Sequence, residues 1–208
     1  MEKKDDSHDG NHERVKDRGR TDIKLFLHSN VHDPARDANI PEIIDAFDLK
    51  DMIIPSHFNY DEGIEKSRLN LLYNACDLYI APHGGEGFGM PIGEAMATGT
   101  PFVASDICTT REFAGENYER GFPSPVYFPR FPNGQPILDR GVFRSYPVVK
   151  DFADNIEKAL EDQERLKKMG ENGVKWIRDN CSPAVVAKAW RDVFDRFIVN
   201  VVNINGFE

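Results

Sequence analysis

One stretch of the chain concentrates residues that could do chemistry: Pro82-His83-Gly84-Gly85-Glu86-Gly87-Phe88-Gly89-Met90-Pro91-Ile92-Gly93-Glu94-Ala95-Met96-Ala97. Four glycines, Gly84, Gly85, Gly87 and Gly89, fall within six residues. Such a loop lets backbone approach a ligand closely and take up positive φ. A helix beginning near Met90 would turn unpaired N–H groups and the positive end of its dipole toward the loop, which suits a phosphate. Pro91 has no N–H to give and fits the first turn. Two carboxylates, Glu86 and Glu94, stand eight residues apart. A carboxylate beside a phosphate is better employed accepting hydrogen bonds from the hydroxyls of a sugar or ribose. A plainer account competes: Glu94 could serve only the helix dipole or a cap, and Glu86 could be a solvated loop residue.

The elements that must position this segment follow from periodicity. Short apolar runs predict strands at Lys24 to His28, Met52 to Pro55, Asp77 to Ala81 and Pro101 to Ser105, with a fifth at Val126 to Phe128. Helical spacing predicts helices over Asn39 to Phe47 and Asp61 to Ala75, then Met90 to Thr98 closed by Gly99, then Thr110 to Ala114. Gly121 to Tyr146, rich in Pro, Gly and aromatics, reads as an irregular surface loop. The remainder reads as helix with three apolar faces. Phe152, Ile156, Ala159 and Leu160 make the first, and Leu166, Met169, Gly173, Trp176 and Ile177 the second. Val186, Trp190, Val193 and Phe197 make the third, in a helix starting at Ser182-Pro183. Alternation of strand and helix implies an α/β fold, a Rossmann-like parallel sheet with helices on both faces. The glycine loop, following a strand and opening a helix, then lies at the carboxyl edge of that sheet, where ligands bind.

The bulk properties bound the rest. A chain of 208 residues suits one domain with a real core. The polar segment 1–22 predicts a disordered charged head, with the folded domain spanning 23–208. A net charge of −9, without any block of Lys and Arg, argues against nucleic acid as a partner. Three cysteines far apart suggest reduced thiols and neither a disulfide framework nor a zinc site. No apolar run reaches the roughly 20 residues of a membrane span, and the N-terminus is no signal peptide, so the expected location is cytoplasmic. His28, His32 and Asp33 fall in strand end and loop and are not read as a metal site.

The full string Glu86-Gly87-Phe88-Gly89-Met90-Pro91-Ile92-Gly93-Glu94-Ala95-Met96-Ala97-Thr98-Gly99-Thr100-Pro101 resembles the donor-site motif of the retaining glycosyltransferases of the two-Rossmann-domain type, the GT-B architecture (family 4-like, group 1). The flanks, Leu72 to Pro82 and Phe102 to Asp106 with Arg111-Glu112 beyond, look like the same family's approach and exit. By this resemblance the chain is the C-terminal, nucleotide-sugar-binding half of such an enzyme. It implies that Glu86 is the catalytic-site carboxylate and contacts the donor sugar's hydroxyls. Gly87, Phe88 and Gly89 would line sugar and phosphate with their backbone, Met90 and Pro91 would lie under the distal phosphate, and Glu94 would bind the ribose. The base would sit against Ser56, His57 and Phe58. No metal or other cofactor is implied.

Two departures from the family pattern stand out. The N-terminal acceptor domain is missing, and so is the first strand-helix unit of the donor domain, which carries an Arg and Lys pair for the diphosphate; Arg18 and Arg20 do not match its spacing. His83 stands where a small hydroxyl residue is common, and it is a further donor-site candidate. The expectation is a donor domain transferring a hexose from a nucleotide-diphosphate sugar to an acceptor hydroxyl with retention. A second chain or a missing domain would supply the acceptor site, and association with a membrane surface is compatible with that. The alternative is a non-catalytic nucleotide-sugar-binding module or inactive fragment. A dinucleotide-dependent dehydrogenase would need a Gly-x-Gly-x-x-Gly turn after the first strand, where His28-Ser29-Asn30 stands.

Overall fold

A computed structural model describes residues 19–30, 39–56, 63–139 and 141–204, with side chains described up to Phe197. The chain divides into two compact units, Met1–Leu72 and Tyr73–Glu208.

The first unit holds β1 (Leu25–Leu27), α1 (Ile40–Ala46) and β2 (Ile53–Pro55), then most of α2 (Lys66–Asn74). β1 and β2 pair in parallel, Leu25 opposite Ile53 and Leu27 opposite Pro55. α1 starts where Asn39 caps it, its side-chain oxygen accepting from Glu42 N at 3.3 Å, with Pro41 in the first turn. No residue of α1 or α2 is fully buried.

The second unit contains the core. β3 (Tyr79–Ala81), β4 (Phe102–Ser105) and β5 (Gly121–Ser124) form a parallel sheet in the order β3-β4-β5. All four residues of central β4 are buried, and alternate side chains enter opposite clusters, as the strand pleat requires. Phe102 and Ala104 join Ala81, Ile92, Met96, Phe113 and Ala114 on one face. Val103 joins Phe122, Phe152, Ala159, Leu166 and Met169 on the other. The first face is covered by α3 (Met90–Ala97) and α4 (Thr110–Ala114), and the second by α5 (Val149–Glu161). α6 (Gln163–Cys181) serves both, with Leu166 and Met169 on the second face and Trp176 and Ile177 against the first. α5 and α6 are separate because Asp162 interrupts them and caps α6, accepting from Arg165 N at 2.8 Å. The expected α/β architecture, parallel strands with helices on both faces, is therefore present.

Four details differ from the sequence reading. The parallel strands are divided between two hydrogen-bonded sheets, β1-β2 and β3-β4-β5. The strand beside β4 is Gly121–Ser124, within the segment expected to be irregular. Pro123 hides it, yet β5 lies at the edge of its sheet, where a missing N–H removes no ladder bond. The expected strand at Val126 is instead β6 (Val126–Tyr127), antiparallel to β9 (Tyr146–Pro147) at the root of an excursion. Its tip carries the hairpin β7 (Leu138–Asp139) and β8 (Val142–Phe143). Finally, the third apolar face lies on α7 (Pro183–Ile204), where Val186, Trp190, Val193 and Phe197 are 42%, 58%, 42% and 67% exposed. The helical period is right there, and burial does not accompany it.

Candidate functional site

β3 delivers the glycine loop, residues 82–89, to the carboxyl edge of the second unit's sheet, and α3 leaves from it. The transition turns on Gly89, the N-cap of α3, at φ +82° and ψ 46°. That left-handed conformation strains any other L-residue. A methyl group there would also press on the Phe113 ring at 3.4 Å. Ile92 N and Gly93 N both turn back onto Gly89 O, at 3.0 and 3.1 Å, and Pro91 brings no N–H. The amide available at the helix start is that of Met90, so the fan of donors is narrower than a generic helix start provides.

Phe88 splits its roles. Its ring meets Phe113 edge to face, centroids 5.3 Å apart, and Phe113 meets Trp176 in the same way at 5.4 Å. Its carbonyl accepts from Thr109 Oγ1 at 2.6 Å. The ring and the carbonyl tie the loop to α4 and the residue before it. Gly87, Met90 and Pro91 are all exposed beside it.

The two carboxylates are both half-buried. Glu86 Oε1 accepts from the Gly87 amide at 3.0 Å. Glu94 is the fifth residue of α3, past the first turn, where neither a cap nor the dipole explains it. Its Oε2 accepts instead from Tyr73 Oη at 3.0 Å. Burial, and then the bond to Glu94, push the Tyr73 phenol well above its ordinary value, so it stays protonated and donates. Tyr73 is itself fixed. Its carbonyl accepts from Thr100 Oγ1 at 2.8 Å, and its ring meets Tyr79 edge to face at 5.8 Å. Burial also raises the Tyr79 phenol, with Glu86 and Glu94 adding to it. One ring thus senses both carboxylates, which the loop brings to the same region.

His83 is half-buried, and its Nε2 is enclosed without a hydrogen-bond partner among the described residues. Burial lowers its pKa, opposed by Glu86, so the neutral imidazole is favoured. Gly84 sits against Ser145, whose N and Oγ lie 3.0 and 3.3 Å from Gly84 O. A methyl group on Gly84 would come within 2.6 Å of Ser145 O.

The structure thus gathers His83, Glu86, Gly87, Phe88, Gly89, Met90, Pro91 and Glu94 on one loop and helix start. His57 and Phe58 lie outside the described residues. Ser56 is buried in the first unit and donates its N–H to Leu27 O at 3.1 Å. Sequence reasoning missed Tyr73, Thr109 and Ser145. Tyr73 lay in a flank that was read, whereas Ser145 is 61 residues from its partner and leaves no local signal.

The fold is that of the Rossmann-like C-terminal domain of GT-B glycosyltransferases. The family profile described as glycosyl transferases group 1 matches residues 36–129. That match is a similarity over somewhat less than half of this chain. The lipopolysaccharide core biosynthesis mannosyltransferase LpsB of Rhizobium meliloti is 28% identical over 123 residues, covering 59% of this chain and 30% of that protein. Sucrose-phosphate synthase from Thermosynechococcus elongatus superposes with a TM-score of 0.64 at 19% identity, over 89% of this chain and 42% of that one. HepE from Anabaena, solved in complex with UDP, superposes with a TM-score of 0.65 at 18% identity, over 90% and 45%. At such identities the structural likeness is one of fold. The chain spans less than half the length of each of these three proteins.

Proposed function

We propose that this chain forms the donor half of a retaining glycosyltransferase, which moves a hexose from a nucleotide-diphosphate sugar to an acceptor hydroxyl. In the transfer the bond from the anomeric carbon to the diphosphate oxygen breaks, and a bond to the acceptor oxygen forms. The acceptor's proton leaves with the nucleoside diphosphate. The observation that carries this reading is the pair of half-buried carboxylates about a glycine loop and helix start, one of them held by a protonated tyrosine. Such a pair suits a ligand with hydroxyls at both ends and a diphosphate between.

In this reading Glu86 takes the sugar hydroxyls in the reacting centre, with His83 beside it as a neutral imidazole. The backbone of Gly87, Phe88 and Gly89 lines the sugar and the phosphates. Met90 and Pro91 floor the distal phosphate, and Glu94 accepts from the ribose hydroxyls. His57 and Phe58 take the base. No metal takes part. A second chain or a further domain supplies the acceptor site. Among the described residues no helix is long and apolar enough to cross a membrane. We place the reaction in the cytoplasm, which suits the free thiols of Cys76, Cys108 and Cys181. Work at a membrane surface is compatible with this placement.

The UDP bound to HepE and the hexose transfer named for LpsB support the substrate class. Calorimetry with UDP- and GDP-sugars tests it. Binding of one of them, followed by transfer with retained anomeric configuration in the NMR spectrum once an acceptor-supplying partner is added, is the expected result. Failure of every nucleotide-sugar to bind at millimolar concentration would sink the proposal. Binding without transfer would make the chain a nucleotide-sugar-binding module.

A further inference from the structure

The excursion between β5 and α5 is rooted at the carboxyl edge of the sheet. β5 ends there at Ser124, and the root is closed by β6 pairing with β9 and by Val148 N donating to Pro125 O at 2.9 Å. Its return leg then meets the donor loop. Ser145 is 2% exposed, whereas Arg144 and Tyr146 on either side are exposed. Gly84 is one of its close neighbours: the Ser145 amide donates to Gly84 O at 3.0 Å, and its hydroxyl donates to the same oxygen at 3.3 Å. The approach is so close that a single methyl group on Gly84 would lie 2.6 Å from Ser145 O. That methyl group would also lie 3.9 Å from Arg144 Cβ, so the Arg144 side chain starts beside the loop two residues before Glu86. The guanidinium is half exposed, and its Nε is paired with Asp139 on β7, which fixes that end of the side chain on the hairpin.

We propose that the excursion is a working part of the donor site, in which Ser145 positions the loop and Arg144 brings a cation to the ligand's diphosphate. The inference rests on the proposed function. The charge balance asks for such a group. The loop contributes two carboxylates, and a helix start whose available amide is that of Met90, to a ligand that itself carries negative charge. A guanidinium presents paired donors that match phosphate oxygens, and it remains charged at every working pH. Ser145 acts through the loop: holding Gly84 O, it sets where the chain enters the turn that carries Glu86 and keeps Arg144 alongside.

The test uses the full chain and calorimetry with UDP and GDP, taking whichever binds, together with the corresponding nucleoside. Arg144→Ala removes an exposed side chain and leaves the fold intact. It is expected to weaken the nucleoside diphosphate about tenfold or more while the nucleoside is unaffected, and Arg144→Lys is expected to restore part of the loss. Gly84→Ala drives Ser145 off the loop and should produce a comparable loss. Combining it with Arg144→Ala should add little, because the clamp and the cation act together. Unchanged diphosphate affinity in Arg144→Ala, equal losses for nucleoside and diphosphate, or full additivity of the pair would overturn the inference and leave the proposed function standing. If the unaltered chain binds no nucleoside diphosphate, both readings fall.

Discussion

At its helical end the glycine loop runs into Gly89 and α3, and the core and the side chains beside it hold that end. Phe113 lies under Gly89, Ile92 and Met96 are buried on the sheet, and Tyr73 reaches Glu94 from a helix pinned by Thr100. At its strand end the loop hangs on one distant residue, Ser145, at the foot of an otherwise exposed excursion. The first end is set by packing and will resist small changes nearby. The second is set by a pair of hydrogen bonds to one carbonyl, so it is the more readily altered. If the proposed function holds, the Glu94 side of the loop stays constant while the Glu86 side varies with the excursion.

The largest expected effect tests whether the helical end does rest on the core. Phe102 is fully buried on β4 within the cluster that contains Ile92, Met96 and Phe113. Phe102→Ala should cost about 3–5 kcal/mol of unfolding free energy in a urea titration. A loss below about 1 kcal/mol would mean that the cluster does not support α3. Next comes Glu94, the carboxylate proposed to hold the ribose. Glu94→Ala should weaken nucleotide-sugar binding about 10- to 100-fold by calorimetry, the worth of a charge-assisted hydrogen bond. Unchanged affinity would remove Glu94 from the site.

Gly89→Ala probes the hinge between the two ends. The left-handed φ of +82° and the Phe113 ring 3.4 Å away both oppose a side chain. A stability loss of about 1–3 kcal/mol is expected, with a loss of donor affinity in the protein that remains folded. A stable variant that binds normally would show that the turn can be made another way.

The same contrast explains what was legible in the sequence. α3 announces itself because Pro91, Gly99 and the apolar spacing of Ile92, Ala95 and Met96 act within a few residues of each other. β4 is legible as an unbroken apolar run, since both its faces are buried. The candidate residues from His83 to Glu94 fall on one loop and helix, so contiguity in sequence alone places them together. β5 was lost because Gly121 and Pro123 are read locally as breakers, while its place at the sheet edge is a tertiary fact. The clamp between Ser145 and Gly84 joins segments 61 residues apart, and no local pattern reports such a contact. On α7 the period was read correctly, yet burial depends on a neighbour and not on a pattern, so Trp190 and Phe197 are exposed.

The smallest expected effect is the most discriminating for Glu94. Tyr73→Phe keeps the ring against Tyr79 and removes only the donor to Glu94 Oε2. If the phenol orients the carboxylate, nucleotide-sugar affinity should fall by a factor of about 3 to 10, the worth of roughly 0.5–1.5 kcal/mol for one hydrogen bond. Stability should change less than in Phe102→Ala. The double variant Tyr73→Phe/Glu94→Ala should bind no worse than Glu94→Ala alone, because a phenol with nothing to orient contributes nothing. If the two losses simply add, Tyr73 touches the ligand directly, and Glu94 is held in place by α3 itself.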